Sequence, residues 1–455
     1  MAKRTGTGGR WLRYATLFSG LGTLFIVGAW VSPLNAAGDN VFLGIANQRD
    51  VLSYVSVTGI LAVGMTLVIL TAGIDLSVGS VMSLCTVVCA MLLMQRPGDF
   101  ETVGRAHLIM FSAVTLFAGG IGYWVVSKVI DGLAGSARGP ATRGATGDTI
   151  RAADFSPRRR PRGLKPAALK AIGALAGALL ALQLVSRSIP TGFSTLAVLL
   201  VVPPVGGMMG LLSGLIIAKT RLQPFIVTLA MMISAVGLAK FVAGHGGQIH
   251  AIYKAEADLP GAPASFEQLG QPIITVGTET LRSGAVRDVK LLPIPGLFLL
   301  GCWGLAAFVL RLLPLGRYIY AVGGNEETSR LCGVPVDRVK VFVYTAGGLL
   351  AGLAAVLYCA MYQQGKADAG QMKELDAIAA VVIGGTSLMG GRGGIVGTLV
   401  GVMIFGYLTN ILQLKSVSSE IQDIVKGVII VGAAALQSGH VAGMVRSLVR
   451  RRVKG

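Results

Sequence analysis

Thr71-Ala-Gly-Ile-Asp-Leu-Ser-Val-Gly-Ser80 separates two apolar runs, 52–72 and 77–94. It sets an acid, serine hydroxyls and glycines between them. A helix needs about 20 apolar residues to cross the hydrocarbon layer, and run 52–72 has that length. Irregular backbone at membrane depth persists only where it lines a cavity or is buried in protein. An ionisable side chain there marks function by default. Gly73, Asp75, Ser77 and Gly79 are therefore candidates for a broken helix that borders a polar pathway. Asp75 has a second reading, as the cap of a helix starting at Leu76; the two roles can coexist.

The composition around this break agrees with a membrane solvent. The 455 residues are 53% hydrophobic and only 13% charged, against about 25% charged in soluble domains. The 64 glycines suit close helix packing in a bilayer. The net charge of +19 sits in short runs between apolar stretches. That is the pattern of membrane orientation rather than of nucleic-acid binding, since the basic runs lack interleaved aromatics. Of Cys85, Cys89, Cys302, Cys332 and Cys359, four lie in apolar segments; Cys85 and Cys89 are one helical turn apart with no histidine nearby to complete a metal site, and the cysteines read as small buried hydrophobes.

Long apolar spans are expected near 15–32, 52–72, 106–129, 167–186, 194–218, 225–243, 294–313, 340–362, 393–413 and 421–438, with short stretches at 77–94 and 376–389. The fold class is thus an all-α polytopic membrane protein of about ten long helices plus two short or broken ones, a single transmembrane domain over 12–445. No small-residue cleavage motif follows Leu17–Val31, so it reads as a retained first span. Lys3, Arg4, Arg10 and Arg13 at one terminus and Arg446, Arg450, Arg451, Arg452 and Lys454 at the other place both in the cytoplasm. Counting twelve crossings then puts 131–165, 219–223 and 314–339 inside as well. These hold Arg158, Arg159, Arg160, Arg162 and Lys165, and Lys219 and Arg221, so parity and charge agree. Residues 131–165 read as a basic, disordered cytoplasmic insert. Residues 244–293 form an extracytoplasmic loop, partly folded, in which His245 and His250 read as solvated.

Two more stretches invite chemistry. Residues 376–397 carry Gly384-Gly-Thr-Ser-Leu-Met-Gly-Gly-Arg-Gly-Gly394. A dinucleotide fingerprint would need a compact soluble unit and an acid about 20 residues on; this chain continues into an apolar span ending near Asn410. A broken helix is the better reading, with Thr386 and Ser387 available to hydroxyl-rich solutes. Asn410 joins the pathway candidates. Residues 316–340 read as a polar cytoplasmic loop holding one short helix. Asn325 caps it, Glu326 and Glu327 occupy its first turn, and Gly333 stops it just before Pro335. Such a helix is placed to dock a cytoplasmic partner. Small-xxx-small ladders at Gly206, Gly210 and Gly214, at Gly348 and Gly352, and at Gly393, Gly397 and Gly401 read as packing surfaces. The sequence holds no Walker A loop, no nucleophile elbow and no His-Glu-x-x-His, so no catalytic or metal residues are expected.

Gly-Ile-Asp-Leu-Ser-Val-Gly at 73–79, Pro224-Phe-Ile-Val-Thr-Leu229, Glu374-Leu-Asp-Ala-Ile-Ala-Ala380 and Val382-Ile-Gly-Gly-Thr-Ser-Leu388 occur in that order. Together they resemble the permease subunits of bacterial ribose, xylose and galactose ABC importers, over most of residues 40–438. The resemblance implies a permease that pairs with a second copy, identical or not, to form the pore in the inner membrane. It implies a periplasmic sugar-binding protein and a cytoplasmic ABC ATPase with two nucleotide-binding modules, which would bind ATP and Mg while this chain binds no cofactor. Asn325, Glu326, Glu327, Arg330 and Gly333 fall in the loop, 314–339, that docks the ATPase in that family. Glu327-Thr328-Ser329 stands where the family has Glu-Ala-Ala, Cys332 where it has Ser, and Ile411 follows Asn410 where it has Gly. The rival class, a transporter driven by an ion gradient, would show acids and bases at mid-membrane depth; Asp75 is the one such residue expected from the sequence.

Overall fold

The computed structural model describes residues 7–34, 38–94, 194–244, 248–254, 261–280 and 286–437. Its helices are α1 (Thr7–Val31), α2 (Ile45–Leu70), α3 (Val78–Leu93), α4 (Thr195–Thr220), α5 (Pro224–Ala243), α6 (Ala264–Gly270), α7 (Ile294–Leu312), α8 (Pro314–Gly324), α9 (Glu326–Leu331), α10 (Val336–Tyr362), α11 (Lys373–Ile383), α12 (Ile395–Leu414) and α13 (Ser419–Gln437). Four strands accompany them: β1 (His250–Ala251), β2 (Pro272–Thr280), β3 (Val286–Pro293) and β4 (Gln364–Gly365). The chain divides into two units, Met1–Met110 with Thr191–Gly455, and Phe111–Pro190. Everything below belongs to the first; the second lies outside the described residues.

α2, α4, α5, α7, α10 and α12 are each long and apolar enough to cross a membrane, so the protein is a polytopic helical membrane protein. The expected spans 106–129 and 167–186, and the insert 131–165, lie outside the described residues. The expected 15–32 and 421–438 fall on α1 and α13, and α13 opens with Glu420, Asp423 and Lys426 among its first eight residues.

Burial ranks the helices. All of α3 is buried, as is α2 from Val55 to Leu70. Helices apolar on every side belong inside a bundle, so these two form its centre. α10 packs most extensively on α4, and next on α2 and α3. The α4–α10 seam is built from glycines in opposite order along the two helices. Gly206 lies on Gly348, Gly210 on the Tyr344 carbonyl and Gly214 on Val341. A Cβ at Gly206, Gly210 or Gly348 would run into the facing backbone. α12 meets α11 in the same way, Gly397 on Gly384 and Gly401 on Ala380.

Lys219 and Arg221, at the end of α4, therefore lie at the same end of the bundle as the start of α10. Arg221 is near enough to Asp337 for their charges to interact. At the opposite end, Asn47 and Asn410 exchange amide hydrogen bonds of 3.1 and 2.8 Å, and Tyr407 donates to Gln48 at 2.7 Å. The same end carries folded parts of the 244–293 loop. β1 pairs antiparallel with β4, β2 pairs antiparallel with β3, and α6 buries Phe266. His250, expected to be solvated, is instead half-buried, with Nε2 2.9 Å from the Ala243 carbonyl; His245 lies outside the described residues.

Candidate functional site

Three of the motif stretches end a helix with one device. In a Schellman stop a left-handed residue follows the helix, and its own N–H and the next one turn back onto the helix's last carbonyls. α2 stops this way: Ala72 donates to Ile69 and Gly73 to Val68, at 2.9 and 3.2 Å. α11 repeats it with Gly385 to Val382 and Thr386 to Val381, at 2.8 and 3.2 Å. α9 repeats it with Gly333 to Arg330 and Val334 to Ser329, at 3.1 and 3.0 Å. Gly385 and Gly333 take the left-handed φ, +83° and +81°, as glycine can. α2 uses Ala72, φ 61°, a conformation that costs an L-residue roughly 1–2 kcal/mol.

Those stops meet. The Gly391 N–H donates to the Leu70 carbonyl at 3.0 Å. Gly390 lies against Ala72, Gly323 against Leu70 and Gly391, and Gly391 against Gly324. Side chains at these positions would hold the three backbones apart, so glycine is required at the contact. The fourth motif arrives as well. α5 begins with Pro224, and the buried Thr228 hydroxyl donates to the Ile74 carbonyl at 3.2 Å. A cavity of about 160 Å³ remains between these segments, walled by Ala72, Gly73, Pro224, Gly323, Glu326, Lys340 and Tyr344.

Asp75 is 1% exposed. Its Oδ1 accepts from the Ser77 N–H at 2.9 Å and the Ser77 hydroxyl at 2.6 Å. The carboxylate therefore organises the turn just before α3; the helix starts at Val78 with Ser77 at its cap, two residues later than the capping reading expected, so Asp75 is not itself the N-cap. Its other oxygen faces α10 at Gly347. Gly73 lies against the Tyr344 hydroxyl, which is buried without a hydrogen-bond partner among the described residues. Gly79 packs against Gly370 and the Glu374 carboxylate. Thr386 is fully buried under Gly393, and the Ser387 hydroxyl accepts from the Met389 N–H at 3.3 Å. Asn410 stands apart from these six, paired with Asn47 roughly 24 Å away along α12.

The short helix α9 forms as its residues require. The Asn325 side chain accepts from the Thr328 N–H at 2.8 Å, and Glu326 and Glu327 fill the first turn. The two acids then part. Glu326 turns inward, both its oxygens 2.8 Å from Lys340 Nζ on α10. Glu327 stays exposed. Arg330 bonds Asp337 at 2.7 Å, and that hydrogen bond raises its guanidinium above the ordinary value. Leu331 at the end of α9 is 84% exposed, and Met389, beside the glycine junction, 86%.

Sequence reasoning missed those two apolar residues, and it missed a buried charge cluster. Asp376 lies 3.9 Å from Lys373 and 3.6 Å from Lys426, which also reaches Asp423 at 3.2 Å. Opposite charges in two otherwise apolar segments, 376–389 and 421–438, were the available signal, because such charges pair inside a bundle.

Comparison with known proteins supplies the family. Residues 167–434, more than half the chain, match the family model described as "Branched-chain amino acid transport system / permease component". The chain is similar to the ribose import permease protein of Escherichia coli K12, 32% identical over 440 residues, covering 96% of this chain and 99% of that protein. It is similar to the xylose transport system permease protein of the same strain, 29% identical over 407 residues, covering 88% and 86%. A ribose import permease protein of Bacillus subtilis 168 is 39% identical over 225 residues, 49% of this chain and 62% of that protein. No solved structure matches the chain. A match of that length in the family model, and a relative aligned almost end to end, make this chain a member of that family of transport-system permease components.

Proposed function

We propose that this chain is the membrane-spanning permease of an ABC importer and carries a monosaccharide of the ribose or xylose kind across the inner membrane. ATP and Mg belong to a separate ATPase with two nucleotide-binding modules, a periplasmic binding protein delivers the sugar, and a second permease completes the pore. On this reading both termini, the α8–α9 end and the 131–165 insert face the cytoplasm, and the chain crosses the membrane with about ten long spans, six of them the long apolar helices of the described residues.

One observation carries the proposal. α9 is tied by Glu326 and Lys340 to α10, over a cavity walled by the break at 71–73 and by Gly323, which itself touches the break at 390–391. A soluble partner that moves α9 therefore pushes directly on the two helix breaks. An ion-coupled carrier has no need for such a polar knob outside the membrane. Glu327 and Leu331 are among the outward groups of α9. Glu327→Lys with Leu331→Glu should insert in normal amount but fail to co-purify with the ATPase, and uptake should cease. Retention of both ATPase and uptake would remove the docking role.

A further inference from the structure

We propose that the recess between the first turns of α2 and the end of α10 is the extracytoplasmic entry site for a neutral, hydroxyl-rich ring, in practice a monosaccharide. The proposal rests on the sugar-importer reading and gives that reading a place on the molecule. The recess has a volume of about 290 Å³, close to the lower limit of small-molecule sites, roughly 300 Å³. It lies at the end of the bundle opposite α9, since α2 runs roughly 30 Å from Arg49 to Leu70 at the glycine junction.

Its walls combine fixed rings with balanced polar groups. Tyr54 and Tyr362 line it. Tyr362 packs on Tyr358 with ring centroids 4.6 Å apart and the rings tilted by 40°, and the Lys373 ammonium lies over the Tyr54 ring at 4.8 Å. Lys373 is itself held near Asp376 in the buried charge cluster. Rings fixed in this way offer flat surfaces to the C–H face of a sugar at little entropic cost. On the rim, Arg49 gives Nε and Nη2 to one oxygen of Asp50, at 2.9 and 2.7 Å. A guanidinium has five N–H donors and a carboxylate two oxygens, so both keep hydrogen-bonding capacity while their charges cancel. A zwitterionic amino acid would need that pair pulled apart; a neutral polyol uses what the pair leaves free. Gln271 adds an amide from the junction of α6 and β2, which gives the enlarged 244–293 loop a part in recognition.

The test uses the full chain with its partners, in intact cells, whose outer-membrane pores admit a small inner-membrane-impermeant maleimide. Uptake of D-ribose and D-xylose is measured first, and absence of both would strike the importer reading itself. Gln271→Cys is then treated with a membrane-impermeant maleimide. Labelling from outside, slowed by D-ribose or D-xylose and unaffected by L-leucine, is the expected result. Tyr54→Ala and Tyr362→Ala should each lower sugar uptake by up to about tenfold at unchanged protein level, while Tyr54→Phe retains it. If either alanine variant fails to fold, the labelling result decides alone. The proposal is overturned if wild type imports sugar but labelling is not slowed by it, if L-leucine protects instead, or if the cysteine reacts only in inside-out vesicles.

Discussion

Asp75 shows how one buried carboxylate holds the turn that leads into a helix. It supplies the acceptor for the Ser77 N–H and hydroxyl, both buried with it. Asp75→Ala leaves a buried donor unsatisfied, a loss of about 1–3 kcal/mol, and should lower thermal stability in detergent. Asp75→Asn keeps the accepting oxygen, so stability and uptake should stay near wild type. An Asn variant that is stable but transports poorly would show that the charge itself is used. The two adjacent acids of α9 should also behave differently. Glu326→Lys sets a lysine against Lys340 and should loosen α9 from α10. Glu327→Lys changes only the exposed face and should weaken ATPase binding at unchanged stability. Equal effects in thermal melts of the two single variants would contradict the division. Adjacent residues point about 100° apart on any helix, but the sequence alone does not say which of the two acids meets α10.

Among the elements, the helix stops were legible and the partners of the helices were not. Asn325, Gly333 and Pro335 mark both ends of α9 by local chemistry, and the structure shows the cap and the stop they imply. The glycine ladders announced close approach without naming what approaches. That Gly206 and Gly210 face α10, or that Gly391 reaches Leu70, depends on contacts more than a hundred residues apart. The stop of α2 was harder to see, since Ala72 holds a position that glycine usually takes. Asn410 was grouped with the breaks by motif order, yet it fastens the far ends of α12 and α2. Gly210→Val should break the α4–α10 seam, because its side chain meets the Tyr344 backbone rather than a movable group. A loss of about 1–3 kcal/mol or more is expected from such overpacking, read as a lower melting temperature in detergent. Gly237→Val, with open space around it, should change little.

For the molecule as a whole, the proposed function joins the two helix breaks, α9 and the cavity between them into a single coupling device. Residues 136–162, outside the described part, read in sequence as an appendage to it, rich in Gly, Ala, Pro and Arg. Their deletion should leave membrane insertion and sugar uptake largely intact, measured side by side with wild type. The central claim is that energy enters through a partner at α9 and not through an ion gradient. The direct measurement is D-ribose or D-xylose uptake in cells that carry the permease and its partners, with ATP depleted or the ion gradients collapsed separately. If energy enters at α9, ATP depletion stops uptake while collapse of the gradients at preserved ATP leaves it running. Uptake that survives ATP depletion and ends with the gradient would contradict this.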